Sequence, residues 1–471
     1  MDRKSQYKHK ADDVQTIRDR TRNEEVALRK EKKDKAVNAK RFRYITEAEA
    51  GVEVTQDEVR NATCGLKKPG AHRLENLKLL KHAFSQGTVY IDVFFSIENS
   101  LSWLVGLYTG QDIELQQEAA WCITNISAGT HQHAVAVAKY IAPYLVTYLS
   151  SVVPVIQDQS AWALGNLAGD SKESRSLIHA QGVVFPLVQL LQSPHPSVVQ
   201  SASFALSNLV KESHDIAREV VNVKALPLLQ TLLVNTAENQ GILTEVSWVL
   251  TYLAASPEFT EEMVKLGFLT QIVDILVQLV STNPHVFQIV TPLLRCLGNL
   301  CSGPDEYTQM ACTNSSLLQS LAAYLSSSHR HIRKETLWVL SNMAGEPHTC
   351  HTLAFGPLLP VILDQVPGAY DIKMEALYLL CNIACHGEEL CLQLLNNGIL
   401  QKVAPVLKSH DVEILNLGIA LIEMILRMTE EGKKILEECG GLEGLETLEY
   451  HNNTQIREEA CNLLETYFYT E

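Results

Sequence analysis

A large aromatic ring and an asparagine four residues apart recur along this chain. They read Trp121-Cys-Ile-Thr-Asn125, Trp162-Ala-Leu-Gly-Asn166, Phe204-Ala-Leu-Ser-Asn208, Trp338-Val-Leu-Ser-Asn342 and Tyr378-Leu-Leu-Cys-Asn382. Trp248-Val-Leu-Thr-Tyr252 and Arg295-Cys-Leu-Gly-Asn299 each keep one member of the pair. On a helix, residues four apart share a face, one turn from each other. An asparagine amide carries both a donor and an acceptor, so it can hold one peptide unit of an extended ligand. An indole face packs a lysine stem and attracts its cation by about 0.5–2 kcal/mol. Carboxylates at the ends of such slots select charge. Glu118 and Asp170 are candidates near the early pairs, and Glu335 and Glu375, each three residues before its aromatic, near the later ones. The chemistry these residues suit is recognition of an extended basic peptide.

The elements that must position these pairs follow from their spacing. Successive pairs stand 41, 42, 44, 47, 43 and 40 residues apart. That is the period of a helical solenoid of the armadillo or HEAT kind, in which each unit buries its apolar face against its neighbours. Leu164, Leu206 and Leu340, between the paired residues, are expected in the core. With apolar residues at 46%, modest Gly and Pro and little β-branched alternation, the class is all-α. Eleven scattered cysteines show no disulfide framework, which suits a reducing compartment. Tyr140–Ile156 is free of charge. It is shorter than the roughly 20 apolar residues of a spanning helix and contains Pro143 and Pro154, so burial in the solenoid is expected and no membrane.

Charge divides the chain. The net charge is −15, yet residues 1–43 hold 15 Lys and Arg against 8 Asp and Glu. A basic arm joined to an acidic body suits an acidic partner, or the arm's folding back on its own body. Residues 13–40 read as a helix whose apolar stripe is too thin to stand alone. The clustered basic residues have no interleaved aromatics before Phe42 and Tyr44, and the body is acidic, so nucleic acid is not the expected ligand. The expected organisation is an arm at 1–44, a linker at 45–70 and a solenoid of about ten repeats at 71–471. Cys381, Cys385, His386 and Cys391, or His329 with His331, could ligate a metal. No second CxxC accompanies them, and burial is expected instead. No phosphate loop or nucleophile–base arrangement stands out, so no cofactor and no enzymatic activity are expected.

Ala120-Trp-Cys-Ile-Thr-Asn-Ile-Ser-Ala-Gly-Thr130, Ala161-Trp-Ala-Leu-Gly-Asn-Leu-Ala-Gly-Asp170, the Cys439–Asn453 stretch and Val26-Ala-Leu-Arg-Lys-Glu-Lys-Lys-Asp34 resemble importin-α, the karyopherin adapter family. The likeness runs in order over about nine-tenths of the chain. The Arg-rich start, Tyr148-Leu-Ser-Ser and Leu294-Arg-Cys-Leu297 resemble a diverged branch, transmembrane and coiled-coil domain-containing protein 6. The resemblance implies a right-handed armadillo-repeat superhelical solenoid and a nuclear import adapter that shuttles between cytoplasm and nucleus. Implied partners are proteins with basic localisation signals, an importin-β-like carrier and an export receptor. Arg29, Lys30, Lys32 and Lys33 would contact the carrier. Lys40, Arg41 and Arg43 would be autoinhibitory, though looser than the family's Lys-Arg-Arg cluster. Two grooves are expected. The major one comprises Trp121, Asn125, Thr130, Trp162, Asn166, Asp170, Phe204 and Asn208. The minor one comprises Tyr252, Asn299, Glu335, Trp338, Asn342, Glu375, Tyr378 and Asn382, and Arg295 separates the two. Phe204 and Tyr378 stand where the family has Trp, and Ala254-Ala255-Ser256 replaces an acidic stretch. These departures support an alternative, a scaffold for dedicated partners without general import.

Overall fold

The computed structural model describes residues 40–44, 54–70, 72–280 and 287–469. The described residues form helices joined by short turns, with no strand among them. Two compact units divide them, one ending at Phe259 and the other beginning at Thr260.

In the first unit, six helices, including those that carry the aromatic–Asn pairs, stack in chain order. The stack runs α1 (Gln56–Gly65), α2 (His72–Gln86), α3 (Ile113–Ser127), α4 (Pro154–Asp170), α5 (Pro196–Val210) and α6 (Gln240–Ala254), each packed against the next. Their starts are written in the sequence. Asp112 caps α3 by accepting from the backbone N–H of Glu114 and Leu115 at 3.1 and 3.3 Å. Pro154 and Pro196 open α4 and α5, where a missing N–H costs nothing. Ile123, Leu164 and Leu206 are fully buried, as their place between the paired residues requires. The uncharged stretch 140–156 is the end of one helix, the short helix Ala142–Tyr148, a turn and the start of α4. Among the described residues no single helix is long and apolar enough to cross a membrane.

The expected linker at 45–70 holds a helix instead. Thr55 and Glu58 close a capping box at the start of α1, with the Thr55 N–H donating to Glu58 Oε2 at 2.8 Å. Val59, Ala62 and Leu66 are buried, and the Tyr90 hydroxyl donates to the Val54 carbonyl at 2.8 Å. The helical stack therefore begins before Ala71. The local signal for this helix is its Thr-x-x-Glu start, set among small polar neighbours.

In the second unit, α7 (Phe287–Cys301), α8 (Arg330–Met343), α9 (Tyr370–Ala384), α10 (Val412–Met428) and α11 (Thr454–Tyr467) stack in the same serial way. The glycine before the paired Asn has a packing reason in both units. A Cβ on Gly165 would lie 2.5 Å from the Phe204 ring, and one on Gly298 would lie 2.4 Å from the Trp338 ring. The next aromatic of the ladder rests on each glycine.

Candidate peptide-binding groove

The site is built on α3, α4, α5 and α6, and the chain's own residues 40–44 lie in it as a non-helical segment. Two asparagines hold alternate peptide units of that segment. The Arg41 N–H donates to Asn166 Oδ1 at 2.8 Å, and the Arg41 carbonyl accepts from Asn166 Nδ2 at 3.2 Å and from the Trp162 indole N–H at 2.9 Å. The Arg43 N–H donates to Asn125 Oδ1 at 2.8 Å, and its carbonyl accepts from Asn125 Nδ2 at 3.1 Å. Arg41 meets the later helix and Arg43 the earlier one, so the segment runs against the order of the repeats.

The side chains meet carboxylates and rings. The Lys40 ammonium donates to Asp170 Oδ1 and to the Gly129 carbonyl, each at 2.6 Å. The Arg41 guanidinium lies 4.6 Å from the Phe204 ring centre and pairs with Glu245. The Arg43 guanidinium lies 4.4 Å from the Trp162 ring centre. It binds both oxygens of Asp158, at 2.6 and 2.7 Å, and donates to the Ser201 hydroxyl at 3.0 Å. A two-point arginine–carboxylate pair is among the stronger charge-assisted contacts.

Five expected major-groove residues, Asn125, Trp162, Asn166, Asp170 and Phe204, thus come together around Lys40, Arg41 and Arg43. Three play other parts. The Thr130 hydroxyl is an N-cap, accepting from the His133 N–H. The Asn208 amide donates to the Gly165 carbonyl at 2.9 Å and ties two repeats. Trp121 lies against Lys81, which also pairs with Glu118 at 2.9 Å, so the Glu118 carboxylate is engaged within the chain. Phe204, which stands where the family has Trp, carries the Arg41 guanidinium on its ring. Gly129, Asp158, Ser201 and Glu245 were missed. Glu245 lies three residues before Trp248, the same spacing that singled out Glu335 and Glu375. Arg29, Lys30, Lys32 and Lys33 lie outside the described residues.

The two key carboxylates titrate in opposite directions. Burial raises the Glu245 carboxyl above its usual value, and Arg41 only partly opposes this. Burial also pushes Asp170 up, but hydrogen bonds from Lys40, His131 and Ser171 prevail and hold it below its usual value. As pH falls, Glu245 therefore loses its charge first. In the chain carrying Lys40→Ala, Arg41→Ala and Arg43→Ala, a Lys-Arg-Phe-Arg peptide should bind more tightly than Lys-Ala-Phe-Arg at pH 7. That advantage should shrink as pH falls to about 4, the ordinary carboxyl range, down to what the contact with the Phe204 ring alone gives. Both peptides keep the lysine, so changes at Asp170 and His131 cancel in the ratio. A ratio independent of pH would count against Glu245 as the partner of that arginine.

Tyr252 belongs to the first unit, where it stacks on Trp248 with ring centres 5.9 Å apart. The other expected minor-groove residues lie in the second unit. Their paired asparagines bridge neighbouring helices: Asn342 Nδ2 donates to the Gly298 carbonyl at 2.9 Å, and Asn382 Nδ2 to the Ser341 carbonyl at 2.8 Å. The carbonyl of Asn299 accepts from the Ser302 hydroxyl at 2.7 Å. Arg295 pairs with Glu335 at 3.0 Å, and the Tyr378 hydroxyl donates to Glu413 at 2.9 Å. Trp338 and Glu375 are buried. The thiols of Cys381 and Cys391 face backbone carbonyls, and burial pushes Cys391 up to about 11. His329 and His331 pack around Phe287. Among the described residues no His, Cys, Asp and Glu group is placed to hold a metal ion.

The model of the importin beta binding domain matches residues 3–78, and the TMCO6 family model matches residues 59–468. Importin subunit alpha-9 of Arabidopsis thaliana is 32% identical over 384 residues, covering 76% of this chain and 72% of that relative. The chain belongs to the importin-α family. It also belongs to the family that the TMCO6 model describes. Importin subunit alpha-2 of Oryza sativa subsp. japonica is 28% identical over 502 residues, covering 96% of this chain and 93% of the relative. A crystal structure of an engineered protein overlays with a TM-score of 0.76 at 24% identity, covering 87% of this chain and 98% of its own, and speaks for the fold alone. The armadillo-repeat architecture of importin-α thus accounts for the serial stacking, and membership in the family supports a role as a nuclear import adapter.

Proposed function

We propose that this importin-α family member binds basic nuclear localisation signals in the groove on α3 to α6 and an importin-β carrier through its N-terminal arm. The observation that carries the reading is the seating of residues 40–43. Two asparagines hold the backbone of alternate residues, and three carboxylates take the three cations. A Lys-Arg-x-Arg stretch of a cargo protein presents the same groups. The arm then has two destinations, the groove and the carrier. Carrier binding withdraws it and opens the groove, so loading and transport are coupled. Shuttling between cytoplasm and nucleus follows from that cycle.

A second reading is a scaffold for dedicated partners. The internal pairs Arg295–Glu335 and Tyr378–Glu413 favour it, because they engage charge and hydroxyl in the second unit within the chain. A three-way capture experiment separates the two. Importin β should bind the full chain and raise its retention of a lysine-rich signal peptide. Reversing charge at Arg29, Lys30, Lys32 and Lys33 should abolish carrier binding and with it that gain. A folded chain that ignores the peptide at every carrier concentration would leave the scaffold reading.

A further inference from the structure

The slot over Trp121 is filled from within the protein. In the two neighbouring slots, alternate residues of the bound segment meet successive aromatics of the ladder, Arg41 at Phe204 and Arg43 at Trp162. The next alternate residue of an extended ligand would come to Trp121. There the ammonium of Lys81, from α2, stands 4.9 Å from the ring centre and 2.9 Å from Glu118 Oε2. The pair is largely covered, with side-chain exposures of 12% and 19%. Glu118 stands to Trp121 much as Asp158 stands to Trp162, one helical turn earlier on the same helix. Lys81 therefore has what a bound cation has in the next slot: an indole face and a carboxylate.

A second observation agrees. The Trp162 indole N–H donates to the Arg41 carbonyl. The Trp121 indole N–H is buried and donates to nothing among the described residues, and the Arg43 carbonyl accepts from Asn125 instead. Trp121 is packed by an internal cation, and among the described residues its N–H reaches no carbonyl of the segment. The chain's own segment fits this limit. The second residue after Arg43 in the sequence is Ile45, which carries no charge.

We infer that Lys81 is a built-in occupant that ends the groove after the second arginine. It makes the chain select Lys-Arg-x-Arg signals and gain nothing from a further cation two residues on. The physical basis is repulsion as well as occupancy, since an arriving cation meets a fixed ammonium that already holds Glu118, the carboxylate beside that ring. This inference rests on the proposed peptide groove.

The test uses the full chain with Lys40→Ala, Arg41→Ala and Arg43→Ala, with and without Lys81→Met, which keeps an unbranched apolar stem on the indole. Two labelled peptides, Lys-Arg-Phe-Arg-Tyr-Ile-Thr and Lys-Arg-Phe-Arg-Tyr-Arg-Thr, are titrated on the same preparations. With Lys81 present, the second peptide should bind no more tightly than the first. With Lys81→Met it should gain about tenfold over the first, the scale of one cation–π contact beside a carboxylate. Each ratio is internal to one preparation, so a loss of folded protein cancels, and Lys81→Gln repeats the comparison without the sulfur. A ratio unchanged by either substitution, or a tenfold preference already present with Lys81, overturns the inference while leaving the groove. Failure of the first peptide to bind any preparation overturns the groove reading itself.

Discussion

Replacing Trp162 and Asn166 together by alanine should lower the affinity for a basic peptide by about a hundredfold while leaving the helical stack assembled. The contacts at stake are three hydrogen bonds to the Arg41 peptide unit and the face under the Arg43 guanidinium. Net hydrogen bonds contribute about 0.5–1.5 kcal/mol each and the cation–π contact about 0.5–2. A combined loss of about 3 kcal/mol is a factor of about a hundred. The same substitutions remove the Asn166 bond to the Thr124 carbonyl and the Trp162 packing on Phe204, whose ring centres are 5.0 Å apart. In a repeat protein such losses act on nearest-neighbour interfaces and lower the melting temperature without dissolving the array. Peptide anisotropy and circular dichroism on the same samples, in the chain whose arm segment carries the three alanines, separate binding from folding. Asn342→Ala in the second unit is the matched control, since that amide bridges two helices and should leave this peptide's affinity in place. Full affinity in a folded Trp162→Ala, Asn166→Ala chain would remove this groove from the mechanism.

The repeat period and the all-α class were legible because each unit repeats one physical problem: an apolar helix face needing a neighbour. The aromatic–Asn pairs marked the groove for the same reason, since Asn125 and Asn166 do what an amide in that place can do. The individual residues were less uniform. Asn166 holds both the segment and the Thr124 carbonyl, whereas Asn208, Asn342 and Asn382 appear as bridges between helices. One residue type at one spacing serves two roles, and only the three-dimensional neighbours decide between them.

The acidic partners were harder to read. Asp158 is reached by Arg43 from a position four residues before Trp162, and Glu245 is supplied to the Phe204 slot by the following helix. Sequence spacing along one helix cannot show a carboxylate delivered by the next. Lys81 illustrates the converse. It is 40 residues from Trp121 and has no motif of its own, yet it changes what Trp121 and Glu118 are for. The helix at Gln56–Gly65 was hidden by its small and polar residues, although its capping box is a local signal.

Removing the three cations of the arm segment should raise the affinity for a free basic peptide by about 10- to 100-fold. The segment and the cargo compete for the same amides and carboxylates, and the segment is tethered. Tyr44 and Val54 are both described, and the ten steps between them span at most about 33–36 Å. A short tether of this kind holds its end at an effective concentration on the order of 1 mM. If the untethered segment binds with a Kd of about 10 μM to 0.1 mM, or roughly −7 to −5.5 kcal/mol, the tethered form raises the apparent Kd of cargo by the ratio of these concentrations. The comparison is the unaltered chain against the chain with Lys40→Ala, Arg41→Ala and Arg43→Ala, titrated with one lysine-rich peptide at one salt concentration. The same gain should appear in the unaltered chain when importin β is added, because the carrier and the substitutions act on the same arm. Equal affinities in all three cases would mean that the segment seen on Asn125 and Asn166 does not compete with cargo. A gain from the substitutions without one from the carrier would place the inhibition in the segment alone, and would separate groove opening from transport.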